Sequence, residues 1–436
     1  MRFILSLCCL GAALCHTAFA QTAPPGPGAP VALTLDDALT RARAYSQQVY
    51  TAEIAARLAR EDAVQARAAL LPTVNWFNQF IYTQPNGTPS GVFVSNDGPH
   101  VYNNQAVVHG EIYNPATRAS YRAALAAEAL ARAKADVAAR GLIAVVVQDY
   151  YATLASQREV ANAQQSLKEA QQFLDITRKQ ETGGEVAHAD VVKAEILAEQ
   201  RRREVGNAQL ALEKNRIAFG VILFPDYGRT FTLVDDLEKS VTIPPFGEVQ
   251  AMAGRGNPDL RAAQAAIEQQ THEVAAARAA RLPSLSFDYF YGINANEYAI
   301  YDREHLRNLG SAAQAQLNIP IWTWGAARSK VRQAELRLEL ARKDLTFTQR
   351  QLLANLNSFY MEADTAALQM ASLRRSLDLS AQSLKLTVDR YEAGEATALE
   401  VSDAQTTLAQ ARTAYDDGLV RFHLAVANLQ TLTGVF

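Results

Sequence analysis

The stretch AALLPTVNWFNQFIYT, residues 68–83, changes its periodicity at Pro72. Before the proline the chain is rich in alanine and has the spacing of a helix. After it, polar and apolar side chains alternate, and Val74, Trp76, Phe80 and Tyr82 fall on one side of an extended segment. The same change occurs in AARLPSLSFDYFYGIN, residues 279–294. Twice, therefore, a long helix is predicted to run directly into an amphipathic strand.

The chain contains two copies of one unit. Residues 46–72 align without a gap with residues 257–283, and residues 184–202 align with residues 394–412. A period of about 210 residues is too long for a solenoid and indicates a duplicated half-structure. Each copy has the order helix, strand, strand, long helix, helix. We predict repeat 1 at 35–222 with strands at about 73–83 and 105–113, an inter-repeat segment at 223–248, and repeat 2 at 249–436 with strands at about 284–294 and 312–322.

The long helices are predicted to end at glycine-containing breaks. Residues 116–224 contain no proline and are interrupted by TGG at 182–184, and the second copy is interrupted by EAGEA at 392–396. Glycine supplies the positive φ that a helix C-terminus needs. A helix from residue 326 to about 393 would be about 100 Å long. Its apolar residues recur every seven positions, which predicts a coiled-coil neighbour.

Composition and the N-terminus restrict the possible compartments and partners. Residues 1–20 combine one cation, an apolar run and an A-x-A pattern, which predicts a signal peptide, with a lipoprotein signal as the less favoured alternative. A proline-rich linker is predicted at 21–34. All three cysteines lie in the signal, so the mature chain would have no disulfide. The net charge of −3 argues against a nucleic-acid partner. No later stretch is apolar enough for a membrane helix, so any crossing would be by strands.

The alternating strands fit either a soluble sandwich or a membrane barrel. Their length, their aromatic content and the export signal favour the membrane. We predict that one face meets lipid, through Trp76, Phe80, Leu285, Phe287, Tyr289, Tyr291 and Ile293. Four strands cannot close a barrel, so several chains must share it. Two chains would give eight strands and a filled interior, whereas three would give twelve and a pore, and we predict three.

The chain resembles the TolC-type outer-membrane efflux proteins. The resemblance is carried by LTLDDALTRA at 33–42, Leu-Pro before a strand in both copies, IPIWTWGAARSKV at 319–331 and YEAGEATALEVSDAQTTLAQA at 391–411. It covers almost the whole mature chain. It implies a mainly α fold with a small β part, in which a trimeric α-helical barrel in the periplasm continues into a 12-stranded transmembrane β-barrel in the cell outer membrane. It also implies that the inter-repeat segment forms an equatorial belt.

The same resemblance implies a function and partners. The homotrimer would be the passive outer-membrane channel of a tripartite efflux or type I secretion system, and it would carry small molecules, metal ions or polypeptides. A periplasmic adaptor and an inner-membrane pump would be its protein partners. The hairpin tips would contact the adaptor, through Gly184, Val186, Ala187, Gly394, Ala396 and Thr397.

The periplasmic entrance is expected just beyond the tips. Asp190 and Glu400 occupy matching places in the two copies, and Asp403 lies one turn after Glu400 on the same helix face. By threefold symmetry, Glu400 and Asp403 would form an acidic ring that favours cations. The resemblance gives Tyr391 the role of holding the entrance shut through Asp190. Family members with a salt-bridged latch carry an arginine where this chain has Ala396, so closure is expected to use hydrogen bonds and packing.

The sequence offers no catalytic constellation. The seven histidines include no i, i+4 pair, which argues against a metal site. There is no phosphate-binding glycine loop and no nucleophile–base set, so we predict a protein without enzymatic activity or cofactors that takes its energy from a partner. The alternative is a periplasmic coiled-coil adaptor or structural protein whose strands form a soluble β-domain.

Overall fold

The computed structural model describes residues 31–82, 100–226, 228–239 and 241–434. The expected signal peptide, most of the predicted linker and the loop at 83–99 lie outside these residues. The first copy comprises β1 (Val31–Leu33), α1 (Leu35–Tyr45), α2 (Gln47–Ala68), β2 (Thr73–Tyr82), β3 (His100–Tyr113), α3 (Pro115–Thr182) and α4 (His188–Leu223). The strand β4 (Phe231–Leu233) lies in the inter-repeat segment. The second copy comprises α5 (Phe246–Gly256), α6 (Pro258–Ala279), β5 (Ser284–Ala295), β6 (Leu309–Asn318), α7 (Ala326–Glu392) and α8 (Ala398–Thr433).

The helix expected before each Leu-Pro junction is broken into two. Ser46 is extended, and its hydroxyl accepts the Val49 amide as the N-cap of α2. Asn257 holds the matching place in the second copy, where its side chain accepts two amides and Pro258 follows. Since Ser46 and Asn257 are aligned in the repeat, the break belongs to the duplicated unit. The continuous helix predicted from the alanine-rich composition differs from the structure because one capping residue is enough to divide it.

The two longest helices determine how long the molecule is. The helix α3 has 68 residues and α7 has 67, so each is about 100 Å long. The helices form a layer that we call the helix wall. In it, α3 packs against α2, α4, α6 and α8, and α7 packs against α6 and α8. Alanine recurs among their buried residues, which allows close helix approach. No helix of the described ranges has both the length and the apolar composition needed to cross a membrane.

The strands of both copies join in one antiparallel sheet. Its order is β2-β3-β5-β6, so the copies meet where β3 pairs with β5. β3 begins at His100 rather than near residue 105, and β6 ends at Asn318 rather than near residue 322. The early end of β6 has a local cause, because Pro320 has no N–H for a strand ladder. Within the described chain, β2 and β6 are the edges of the sheet.

A second, smaller sheet fixes the inter-repeat segment halfway along the helices. The strand β1 pairs in parallel with β4, and Leu33 and Phe231 lie in a core cluster with Tyr150 and Phe219 of the helix wall. The Tyr150 hydroxyl donates to the Val234 carbonyl at 2.7 Å. Residues 31–33 of the predicted linker are therefore part of this layer, which we call the belt.

Arg158 of α3 connects this layer to both copies. Its guanidinium donates two hydrogen bonds to Asp235 at 2.7 and 2.9 Å and a third to Asp416 of α8 at 2.9 Å. Asn162 donates to the second Asp416 oxygen at 2.6 Å. Burial raises the pKa of Asp235, but the hydrogen bonds from Arg158 and the Leu237 amide outweigh burial, and the pKa lies below its ordinary value.

Candidate functional site

The two hairpin tips have the same backbone geometry. Gly184 and Gly394 both have φ of 77°, in the left-handed region that favours glycine. The Glu185 amide donates to the Gln180 carbonyl at 2.9 Å, and the Glu395 amide donates to the Arg390 carbonyl at 2.8 Å. These are the bonds of a Schellman motif, which ends a helix and turns the chain. The sequence-predicted breaks are thus two copies of one turn.

The helices that leave the two turns begin differently. Thr397 and Glu400 form a reciprocal capping box, in which the Glu400 amide donates to the Thr397 hydroxyl at 3.3 Å and the Thr397 amide donates to the Glu400 carboxylate at 3.2 Å. Ala187, at the same place in the first copy, offers no side-chain cap. Of these two helices, only α8 therefore has a first turn that is capped by side-chain hydrogen bonds.

Tyr391 joins the two hairpins beneath the tips. It is 3% exposed, and its ring packs edge-on against Phe173 with 5.1 Å between centroids. Its hydroxyl lies 3.4 Å from the Thr177 hydroxyl oxygen, and the Gln180 side chain donates to its carbonyl at 3.2 Å. Val186 and Ala396 of the tips pack against the same apolar cluster. The tips of one chain are therefore held together mainly by apolar contact.

The four predicted entrance residues do not form a single constellation within one chain. The Tyr391 hydroxyl faces Thr177, while Asp190 accepts from the Lys193 ammonium at 3.1 Å. Tyr391 and Asp190 thus form no hydrogen bond with each other within this chain, because the Tyr391 ring is directed into the apolar cluster between the hairpins. Asp403 is exposed and forms no ion pair within the described residues.

Glu400 has a nearby cation that the sequence interpretation missed. The Arg390 guanidinium lies 3.5 Å from the Glu400 carboxylate and donates to the Glu395 carbonyl at 2.9 Å. The Thr-x-x-Glu pattern at 397–400 could have revealed the capping box from sequence. No local pattern indicates that Arg390 reaches across the turn to Glu400, because that approach depends on the shape of the turn.

One face of the sheet is mainly apolar and the other mainly polar, with Asn104 and Phe290 as exceptions. The register places Val74 beside Val108, Tyr289 and Ala313, and Trp76 beside Ala106, Tyr291 and Ser311. By the alternation of strand side chains, the residues predicted to meet lipid share this face: Trp76, Phe80, Leu285, Phe287, Tyr289, Tyr291 and Ile293. Trp76 is 68% exposed, and none of the seven belongs to a buried cluster of the described residues. Nothing in the described chain covers the face fully.

The opposite face carries hydrogen-bonded polar groups. His109 Nδ1 lies 2.6 Å from the Asp288 carboxylate, and His109 Nε2 lies 3.8 Å from Glu111. Nearer the loops, Asn103 donates to Gln79 at 3.1 Å. The sequence interpretation did not single out His109 and Asp288. They stand directly opposite each other on neighbouring strands, a register that the sequence alone does not reveal.

Relatives in sequence cover both copies of the repeat. The family model described as "Outer membrane efflux protein" matches residues 38–222 and 251–435. The pyoverdine export outer membrane protein OpmQ of Pseudomonas aeruginosa is 26% identical over 423 residues, which is 92% of this chain and 84% of OpmQ. Nodulation protein T of Rhizobium leguminosarum bv. trifolii is 23% identical over 64% of this chain and 60% of its own length. The cation efflux system protein CusC of Escherichia coli K12 is 27% identical over 61% of this chain and 58% of its own length.

Solved structures share the fold. The outer membrane channel CmeC of Campylobacter jejuni superposes with a TM-score of 0.80 at 17% identity, covering 92% of this chain and 85% of CmeC. The outer membrane protein VceC of Vibrio cholerae gives 0.81 at 18% identity, covering 92% and 96%. The prediction of a mainly α fold with a small strand part, built from tandem repeats, is confirmed. The matched family consists of channel proteins rather than enzymes, and its members lie in the outer membrane of Gram-negative bacteria. This chain belongs to the outer membrane efflux protein family.

Proposed function

We propose that this chain forms, as a homotrimer, the outer-membrane channel of a tripartite export system. The observation that carries the proposal is the open four-stranded sheet with one exposed, mainly apolar face and one mainly polar face. An apolar face of this kind suits lipid, and a polar face suits a water-filled lumen. Three such sheets would supply twelve strands, which is wide enough for a pore.

The strand directions support closure between copies. Neighbours in the order β2-β3-β5-β6 are all antiparallel, so β2 and β6 run in opposite directions. The β6 edge of one protomer can therefore pair with the β2 edge of the next in the same antiparallel pattern. Closure would also satisfy the backbone groups of two edge strands, which lipid cannot do.

The helices also present surfaces that suit further copies. Large apolar side chains along α7 are exposed in the single chain: Leu336, Leu340, Phe347, Met361 and Leu368, at 51–74%. Exposed apolar residues in such a row indicate a contact surface. In the trimer, we infer that neighbouring protomers cover them and that the helices form a barrel continuous with the sheet.

At the far end of the helices, the tips at Gly184 and Gly394 would meet a periplasmic adaptor, and an inner-membrane pump would supply energy. The tip surface for this contact consists of Val186, Ala187, Ala396 and Thr397 besides the two glycines. The channel itself would be passive, without catalysis or cofactor. Relatives named for pyoverdine export and for cation efflux support small molecules or metal ions as cargo, and polypeptides stay a further possibility.

The narrowest point of the entrance would be an acidic ring of Glu400 and Asp403. The exposure of Asp403 supports this placement, whereas Glu400 is partly engaged by Thr397 and Arg390. The double variant Glu400→Gln, Asp403→Asn should lower the cation preference measured from reversal potentials in planar bilayers. Unchanged selectivity would remove the ring and leave the channel intact.

The proposal as a whole is tested by solubility and mass. The protein should require detergent for extraction from the envelope, and light scattering should give the mass of three chains. Recovery as a soluble monomer from a periplasmic extract made without detergent would refute it. That result would instead support the alternative, a periplasmic adaptor with a soluble β-domain.

A further inference from the structure

A cavity of about 390 Å³ lies on the polar face of the sheet, between β3, β5 and β6. We call it the glycine cavity, because Gly292 and Gly310 line it from neighbouring strands. Gly292 of β5 stands opposite Gln105 of β3 on one side and opposite Gly310 of β6 on the other. The volume lies in the range of about 300–1,000 Å³ that is usual for small-molecule sites.

The two glycines have different surroundings. Glycine inside a strand often marks a place where another backbone or a ligand approaches closely. At Gly292 the neighbour is backbone, because a Cβ atom there would collide with the Asn104 carbonyl oxygen and the Gln105 Cα. At Gly310 a Cβ atom would have no heavy atom of a non-adjacent residue within 4 Å. No contact within the described chain therefore requires glycine at 310, and the missing side chain leaves the cavity open.

Gln105 presents an unpaired amide to this cavity. The residue is only 9% exposed, yet its side chain forms no hydrogen bond within the described residues. A buried polar group without a partner costs about 1–3 kcal/mol. Asn294 and Asn308 also line the cavity without a side-chain hydrogen bond to any described residue, and the Asn308 amide nitrogen is buried. A hydrogen-bonding ligand would satisfy groups that the described chain leaves unpaired.

The rest of the wall is uncharged and partly aromatic. Phe290 lies two residues from Gly292 and is one of the exceptions to the polar character of this face. It is half-buried. None of the residues that line the cavity is charged, so a charged ligand would lose hydration without meeting an opposite charge. The wall therefore suits an uncharged ligand that has one apolar surface and several hydrogen-bonding groups.

A sugar ring has these properties. Its hydroxyl groups both donate and accept hydrogen bonds, and so does each side-chain amide, so the two can pair in either direction. The C–H groups on one side of the ring form an apolar surface that can pack on Phe290. A peptide group offers one donor and one acceptor that point in opposite directions, so it would satisfy fewer of the three amides.

The cavity lies far from the helices. Gly292 follows Ser284, the first residue of β5, by eight positions, which is about 26 Å along the strand. Gly310 is the second residue of β6, which begins at the same end of the sheet. We propose that the glycine cavity binds an uncharged sugar ring on the wall of the lumen, close to the outer mouth of the channel. This inference rests on the proposed function, since it requires the polar face to line a lumen, and it adds saccharides as a ligand class.

Saturation-transfer NMR with maltotriose tests this binding. The full-length protein is purified in lauryldimethylamine oxide, a detergent without a sugar headgroup, and N-acetylglycinamide serves as a peptide-like probe. Gly310→Leu fills the cavity, and Gln105→Leu removes the amide at similar size. Gln316→Leu is the matched control, because it makes the same change on the same face of the sheet, opposite Ser286 and near the helix end of β6.

Saturation should pass from the wild type to maltotriose, most strongly to the ring C–H protons. We expect Gly310→Leu to abolish the transfer, Gln105→Leu to weaken the affinity about tenfold, and Gln316→Leu to change nothing. No transfer to maltotriose, transfer only to N-acetylglycinamide, or equal transfer in Gly310→Leu would overturn the sugar site. Light scattering on the same samples keeps the two proposals apart. A trimer that binds no sugar loses the site and keeps the channel, whereas a monomer that stays soluble without detergent removes the proposed function itself.

Two sources share this chemistry, a sugar group on an exported molecule and the glycan of lipopolysaccharide at the cell surface. Purified lipopolysaccharide added to the maltotriose sample separates them. Loss of the transfer would identify the surface glycan as a ligand, and unchanged transfer would favour exported molecules. Either result supports a sugar site in the cavity.

Discussion

Tyr391 provides a test of what holds the two hairpin tips of a chain together. Its ring is 3% exposed and packs against Phe173, so Tyr391→Ala leaves a cavity and should cost about 3–5 kcal/mol locally. Its hydroxyl is 3.4 Å from the Thr177 hydroxyl, which is long for a hydrogen bond between oxygens. Tyr391→Phe keeps the ring and removes only this weak contact, so it should cost less than about 1 kcal/mol.

Hydrogen exchange measured by mass spectrometry reports these free-energy costs locally, at the hairpin tips. Peptides from residues 170–200 and 384–408 report local opening of the tips in the detergent-solubilised trimer. Tyr391→Ala should raise their exchange rates by about two orders of magnitude or more, and Tyr391→Phe by less than about fivefold. Peptides from the sheet should exchange at the wild-type rate in both variants, which shows that the trimer is intact.

A different result would refute the packing explanation. If Tyr391→Phe opened the tips as much as Tyr391→Ala, the hydroxyl would be the important group, as in a latch through Asp190. Asp190→Asn separates the two explanations further. We expect it to leave tip exchange unchanged, because Asp190 pairs with Lys193 in this structure.

Three further predictions concern the cap, the belt and the sheet. Thr397→Ala should speed exchange in the first turn of α8 by the loss of about 1 kcal/mol of capping, while Thr397→Ser should restore the wild-type rate; equal rates in the two variants would contradict the cap. Arg158→Met should lower the free energy of unfolding by about 2–3 kcal/mol, because Asp235 loses its charged partner. The folded pKa of Asp235 is depressed below its unfolded value of about 3.9. The stability that this shift gives the wild type is therefore present above about pH 3.9 and is lost as the pH falls through the folded pKa. Denaturant melts at several pH values should show a weaker acid dependence in Arg158→Met. Tyr289→Lys on the apolar face should impair insertion into lipid vesicles by up to about 2–4 kcal/mol, while Gln314→Lys on the polar face should insert normally; equal insertion would mean that the faces are not lipid and lumen.

Local features of the fold could be derived from the sequence with few errors. The change of period at Pro72 and again near Pro283 marks a transition that the structure has in both copies. The glycines at 184 and 394 were expected to turn the chain, and both have the same positive φ. The two wrong predictions also concerned short stretches of the chain. One capping residue, Ser46, divides a helix that alanine content alone suggested to be continuous, and Pro320 ends β6 early.

The candidate site was predictable in outline and not in its contacts. The sequence indicated the hairpin tips and the apolar strand faces, because glycine turns and the alternation of polar and apolar side chains are patterns of neighbouring residues. It did not reveal that Tyr391 faces Thr177, 214 positions away, rather than Asp190. It also did not pair His109 with Asp288, which are 179 positions apart.

By itself, the sequence determined the duplication, the order of helices and strands, and which strand face is apolar, because these depend on side-chain spacing along a short stretch of backbone. Only the tertiary structure decided that β3 pairs with β5 across the two copies and that Arg158 joins Asp235 to Asp416. It also decided that Trp322 and Trp324 stand exposed beside the end of β6. These arrangements depend on how helices about 100 Å long align side by side, and that alignment is the sum of many weak contacts between distant residues.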